Sequence, residues 1–237
     1  MALAVTVGLS SPVIAHTRFE IPVINEGQRV YNNMVIGHGC GENDVYGTSV
    51  VFPDGATSSV TVDGEPHAGS LGDFLSNWGN SVQAVYSRAL FDATGGKEDN
   101  NGNSVGFWAG GNPLPHHLVG LVPFRTSAIN FVAESCAVSV RFYVSIVDIC
   151  QITTAEELTN EGVAGLWTHN NLGTVFDRIS SSDDGPAPLT VMRDLEANPL
   201  PASCGVDGVA VEVRPSADQI NRDMPIRYEG VQAWPIP

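Results

Sequence analysis

The sequence predicts a mainly β protein: a single antiparallel β-sandwich-like domain with long loops and a few short helices. Three observations point there. Glycine (25) and proline (15) make up about one residue in six of the 237, so the chain reverses often. Hydrophobic residues reach 43% while charged residues are only 16%, enough apolar surface for a core but too little charge for the outer faces of a helical bundle. Short runs rich in valine, isoleucine and phenylalanine recur between turn signals such as Phe52-Pro-Asp-Gly and Val62-Asp-Gly, the pattern of many short strands.

In chain order, strands are expected over Phe19–Ile24, Asn33–Ile36, Thr48–Phe52, Ser59–Val62, Gly120–Phe124, Ala128–Val132, Val138–Ile149, Leu189–Arg193 and Val209–Val213. The longest, Val138–Ile149, alternates for part of its length, as a strand with one buried face does. Three short helices are expected. Leu71, Phe74, Leu75, Trp78 and Val82 recur at helical spacing, so Ser70–Val82 reads as amphipathic, with Ser70 as cap and Asp73 in the first turn. Thr153–Asn160 opens with Glu156 and Glu157, and Ser216–Met224 is stopped by Pro225. No internal repeat or long linker divides the chain.

Lysine and arginine total 11 against 26 aspartates and glutamates, a net charge of −15, and Lys97 is the only lysine. Such a chain is a poor ligand for nucleic acid and for anionic membranes. Residues 1–15 are apolar and uncharged, and Val13-Ile14-Ala15 puts small residues at the −3 and −1 positions of a cleavage site. They read as an export signal without a basic n-region, leaving residues 16–237 as one β-rich domain in the periplasm, at the cell surface or secreted. No other run is long enough to span a bilayer. Four cysteines, Cys40, Cys136, Cys150 and Cys204, suit two disulfides in an exported chain, with three pairings open.

P-loop, nucleophile-elbow, HExxH and dinucleotide-binding signatures are all missing. The chemistry is sought in six histidines, because imidazole is a preferred transition-metal ligand. Cleavage after Ala15 gives His16 a free α-amine, which with Nδ1 can chelate one metal in a six-membered ring. Copper(II) suits that donor set. His67 follows Pro66, and His117 follows the stiff stretch Asn112-Pro-Leu-Pro-His116. Adjacent residues of an extended chain point opposite ways, so one of His116 and His117 should face a given site. Two rigid imidazoles from separate loops suit low-coordinate Cu(I). The segment from Lys97 to Ser104 presents oxygen side chains around Gly102, as calcium loops do, without the full pattern. A solvated turn is the preferred reading there, with a calcium site as the alternative.

The stretches His16-Thr-Arg-Phe-Glu-Ile-Pro, Val35-Ile-Gly-His-Gly-Cys-Gly, Thr48-Ser-Val-Val-Phe-Pro-Asp-Gly and Gly106-Phe-Trp-Ala-Gly-Gly resemble the copper-repressible, surface-associated copper proteins of methane-oxidising bacteria, the CorA/MopE group. More loosely, residues 15–152 are similar to YcnI-like exported copper-binding domains. The resemblance implies one copper per chain, held mainly by histidines, with His67 and His117 as the pair and His16 as a third ligand. It also implies a Cys40–Cys150 disulfide, which leaves Cys136 for Cys204. In the CorA/MopE group a tryptophan oxidised to kynurenine lies two residues before the first histidine; Glu65 stands there in this chain. The only Trp-x-His is Trp167-Thr-His169. The expectation is therefore a non-enzymatic copper-binding protein that captures or handles copper outside the cytoplasm, with a copper-delivery protein as partner. A copper-dependent oxidase with an N-terminal histidine brace and a metal-free adhesion sandwich are the alternatives.

Overall fold

The computed structural model describes residues 16–237; the expected export signal, residues 1–15, lies outside them. In chain order the strands are β1 (Arg18–Phe19), β2 (Val23–Asn25), β3 (Val30–Ile36), β4 (Val45–Val51), β5 (Ser59–Val62), β6 (Glu65–Pro66), β7 (Val82–Ala84), β8 (Ala93–Glu98), β9 (Ser104–Leu114) and β10 (Gly120–Thr126). They continue with β11 (Ala137–Ile149), β12 (Ala164–Trp167), β13 (Ala187–Met192), β14 (Val209–Arg214), β15 (Ile226–Tyr228) and β16 (Val231–Trp234). One α-helix, α1 (Ala217–Asp223), falls between β14 and β15.

Strands β1, β3, β10 and β7 form an antiparallel four-stranded sheet. The second sheet runs β6-β5-β14-β11-β4-β9-β8, with β12 and β13 also paired to β11 and β2 paired to β13. It is mostly antiparallel, but β14 lies parallel to β11 and β2 parallel to β13. The two sheets face each other across the main core. Phe19 and Phe124 from the small sheet meet Phe107 of β9 and Phe52, which follows β4, with ring centroids 5.3–6.1 Å apart. The mainly β, sandwich class read from composition is the fold observed.

The 13-residue strand β11 organises the large sheet. Val140, Phe142, Val144 and Ile146 point into the main core, one every second residue. Val147 and Ile149 point the other way, into a second core with Val51, Trp108, Phe176, Ile220, Met224 and Trp234. The single buried face expected of this strand holds for its first half only. The second half is buried on both faces because α1 and the carboxy-terminal hairpin cover the outer side.

Helix is scarcer than expected. Ser216–Met224 is borne out: the Ser216 side chain accepts from the Gln219 N–H at the start of α1. Ser70–Val82 is instead two 3-10 turns, Leu71–Asp73 and Trp78–Asn80, running into β7. Gly72 and Gly79 weaken a helix there. The backbone also finds remote partners: the Val132 N–H donates to Phe74 O, and Ser76 N–H to Asn130 O. Leu71, Phe74 and Leu75 are still buried, so the periodicity marked a core face without marking a helix. Thr153–Asn160 shortens to a 3-10 turn at Ala155–Glu157. Ala128–Val132 forms no strand, although Phe131 bridges Leu75.

The only lysine is buried. Lys97 lies on β8 and its Nζ donates to the carbonyls of Asp223, Met224 and Pro225 at the end of α1. Burial pushes its pKa down to about 7, against the pull of Asp223 and of the three carbonyls, which favour the ammonium. Gln219 ties the same helix to the β4–β5 turn: it accepts from Asp54 N–H and donates to Phe52 O. Replacing Lys97 by methionine leaves these buried carbonyls without a donor. Lys97→Met is expected to lower unfolding free energy by about 2–4 kcal/mol in denaturant titration; an unchanged midpoint would contradict this role.

Candidate metal centre

Both disulfides implied by the resemblance are formed: Cys40–Cys150 and Cys136–Cys204, closing separations of 110 and 68 residues. The first joins the loop after β3 to the end of β11. His38 lies in that loop, two residues before Cys40.

His16 immediately precedes β1. Two residues on, Arg18 pairs with Val35 of β3. The His16 ring packs on Trp167, centroids 4.8 Å apart. Its Nε2 lies 3.0 Å from Arg178 Nη1. Its Nδ1 is buried and has no hydrogen-bond partner among the described residues. Burial holds the His16 pKa below its ordinary value; the Arg178 charge adds to this, and Asp184 opposes it. A hollow of about 320 Å³ opens beside the ring, lined in part by Thr17, Asp184, Pro186 and Pro188.

Beneath it is a buried carboxylate. Asp148, near the end of β11, accepts at one oxygen from Thr17 Oγ1 and from Trp167 Nε1, the latter at 2.7 Å. Its Oδ1 is buried without a partner among the described residues. Burial pushes the Asp148 pKa up to about 6, although the hydrogen bonds from Thr17 and Trp167 pull it down. This group anchors both the residue after His16 and the ring on which His16 rests.

His116 and His117 occupy a turn closed by the Leu118 N–H donating to Pro115 O. Because the chain turns here, the two rings lie on one side, 5.1 Å apart, contrary to the alternation expected of an extended segment. The His116 N–H donates to Asp44 Oδ1 at 2.8 Å, and the Gly39 N–H donates to His116 O. Gly39 is required: a Cβ there would fall 2.0 Å from Asn43 O and 2.8 Å from His116 Cβ.

His67 is elsewhere. Its N–H donates to Val60 O, and Val60 pairs with Val213, which pairs with Phe142. It is thus level with the middle of β11, on the β6 edge of the sheet. His117 belongs to the Cys150 end, and the stretch from Phe142 to Cys150 alone spans about 26 Å. The structure does not bring His67 and His117 together around one ion. His67 Nε2 instead meets Asp73 Oδ2 at 2.9 Å, and the ring packs on Phe74. That contact, with the Ser70 N–H, holds the Asp73 carboxyl below its usual range.

The segment read as a calcium loop is the β8–β9 hairpin turn. Asp99 Oδ1 accepts from the N–H groups of Asn101 and Asn103, and Oδ2 from Asn103 Nδ2 at 3.0 Å. Its oxygens close the turn, and Lys97 points away from it, to the carbonyls at the end of α1. Among the described residues no three histidine, cysteine, aspartate or glutamate side chains are clustered as a metal would require.

His169, not singled out from the sequence, is the most buried histidine. Its Nδ1 meets both oxygens of Asp183 at 3.1 and 3.0 Å. Asp183 also accepts from Arg214, which lies over the Tyr143 ring. Burial holds the His169 pKa down, against the raising effect of Asp183. The pair clamps the long β12–β13 connection that carries Arg178. Nothing in the sequence shows the partner of His169 or which of its nitrogens is buried.

No family model and no curated protein matches the chain. Among solved structures it is similar to an uncharacterized protein from Nocardia farcinica whose crystal structure reveals an immunoglobulin-like fold. Identity is 10%, the TM-score 0.43, and the match covers 75% of this chain and 99% of that one.

Asp148 sets a pH dependence. Its pKa is about 6 in the folded protein against 3.8 ordinarily, so the folded state holds a proton that the unfolded chain has lost between those values. Stability is greatest below about pH 4 from this group and falls as pH rises towards 6. Denaturant midpoints of Asp148→Asn are expected to lack this decline between pH 4 and 6.5. The same slope in both proteins would show that another group is responsible.

Proposed function

We propose that this is an exported copper-binding protein that captures or hands on copper at the cell surface or in the periplasm, with His16 as the anchoring ligand. The observation that carries the proposal is the environment of His16. The ring is fixed by Trp167 and Arg178, and the nitrogen left without a partner is Nδ1, the one that an α-amine chelate uses. Cleavage after Ala15 would supply that amine, and copper(II) would be favoured over its neighbours in the first transition row. His38, His116 and His117 belong to the same end of the molecule and would be the next nearest imidazoles. His67 has no part in this arrangement.

Two further features support export and cation capture. Both disulfides suit an oxidising compartment. A net charge of −15 raises the local concentration of cations at low salt without selecting among them.

Copper(II) titration of the exported chain tests the proposal. One ion per chain is expected. His16→Ala should weaken binding by at least about tenfold, a typical cost of losing a ligand or its support, while His67→Ala leaves it unchanged. Full affinity in His16→Ala, or loss of binding in His67→Ala, would overturn the assignment.

A further inference from the structure

The small sheet ends at β7 and the large sheet at β8, and a groove of about 500 Å³ is lined by both edges. Its β8 wall departs from the rule for a sandwich interior. Thr94 and Gly96 pair with Ala109 and Phe107, which belong to the main core. Residues directly opposite share a face, so Thr94, Gly96 and Glu98 are turned towards the small sheet, where apolar side chains are the norm. They supply a hydroxyl, no side chain at all and a carboxylate. Gly96 is exposed, and a Cβ there would meet nothing within 4 Å. The interior of the sandwich is open and polar along this edge.

On the opposite wall Val82 and Ala84 pack on the main core, while the residue between them faces outward. Gln83 pairs with Arg125, and Arg125 with Tyr31, in one row across three strands. Arg125 Nε donates to Gln83 Oε1 at 2.8 Å. Both terminal nitrogens of Arg125 and the side-chain N–H groups of Gln83 remain as donors at the rim. Two tyrosines flank this pair. Tyr31 lies beside it on β3 and Tyr86 lines the groove; each is 72% exposed, more than any other aromatic residue among those described. The Arg88 guanidinium stands over the Tyr86 ring at 5.8 Å.

These features define a ligand class. One arginine and one glutamate balance each other in the groove, although the chain carries a net charge of −15, so the groove selects neither an anion nor a cation. Donors and acceptors beside flat, exposed rings suit a neutral molecule dense in hydroxyl groups whose C–H faces pack on aromatic rings. The row from Tyr31 to Gln83 spans about 10 Å, and the groove continues it. We propose that the β7–β8 groove and this row bind a neutral carbohydrate chain. The site is separate from His16, which precedes β1 at the other edge of the small sheet.

Calorimetric titration of the copper-free exported chain tests this. The probes are neutral hexasaccharides of glucose, mannose, xylose and N-acetylglucosamine, with hexagalacturonate and a threonine-rich peptide as competing classes. At least one neutral saccharide is expected to bind, one per chain, with no dependence on salt. Tyr31→Ala and Tyr86→Ala should each weaken binding about tenfold, the usual cost of truncating a central aromatic contact. Gly96→Leu fills the groove and should abolish binding with the unfolding midpoint kept. Tyr228→Ala, on the carboxy-terminal hairpin, should change nothing. Absence of binding by every neutral saccharide at millimolar concentration overturns the proposal, as does equal affinity in all these variants. Binding of hexagalacturonate alone, lost with added salt, assigns the surface to polyanions and overturns it. Binding of the peptide alone assigns the open edge to strand addition and overturns it too.

Discussion

Strand β11 is the constraint on which the rest of the structure depends. It pairs with β4, β12, β13 and β14, and its two faces feed two separate cores. Through Cys150 it is bonded to the loop after β3, so the end of the strand is tied to the opposing sheet. A strand buried on both faces tolerates few polar groups. Asp148, carried between Val147 and Ile149, is the charged exception, and it is satisfied on one oxygen only.

That exception links the fold to the candidate site. Asp148 holds Trp167 and Thr17; Trp167 supports His16; Arg178 reaches His16 from a connection clamped by His169 and Asp183. A carboxylate with a raised pKa, kept buried at some cost in stability, is the kind of feature found where a site is positioned. The site is thus carried by the sheet through side-chain hydrogen bonds, while its outer wall is a loop.

Much of the β framework was legible in the sequence because strands with one or two apolar faces announce themselves. Ser59–Val62 matches β5 in full, and Val138–Ile149 matches β11 to within one residue. The hairpin β8–β9 was not legible, since Gly95, Gly96, Gly106, Gly110, Gly111 and Pro113 read as loop. Its strand pairing comes from β4, a partner remote in the chain. The expected helix over 70–82 failed for a related reason: remote backbone partners outweighed a local period. Of the candidate site, His16 drew attention in the sequence through the expected cleavage after Ala15, while its packing on Trp167 and Arg178 comes from the fold. The separation of His67 from His117 was not, because a spacing in sequence carries no distance in space. Nor was Arg178 visible, being remote from His16 in the chain.

The acidity has a limited meaning in this account. It draws cations towards the molecule at low salt without selecting among them. The most direct measurement is the intact mass and metal content of the chain recovered from outside the cytoplasm after growth in copper. The account predicts a chain beginning at His16, with two disulfides and one copper. A chain beginning elsewhere that still carries copper, or one beginning at His16 that carries none, would contradict it.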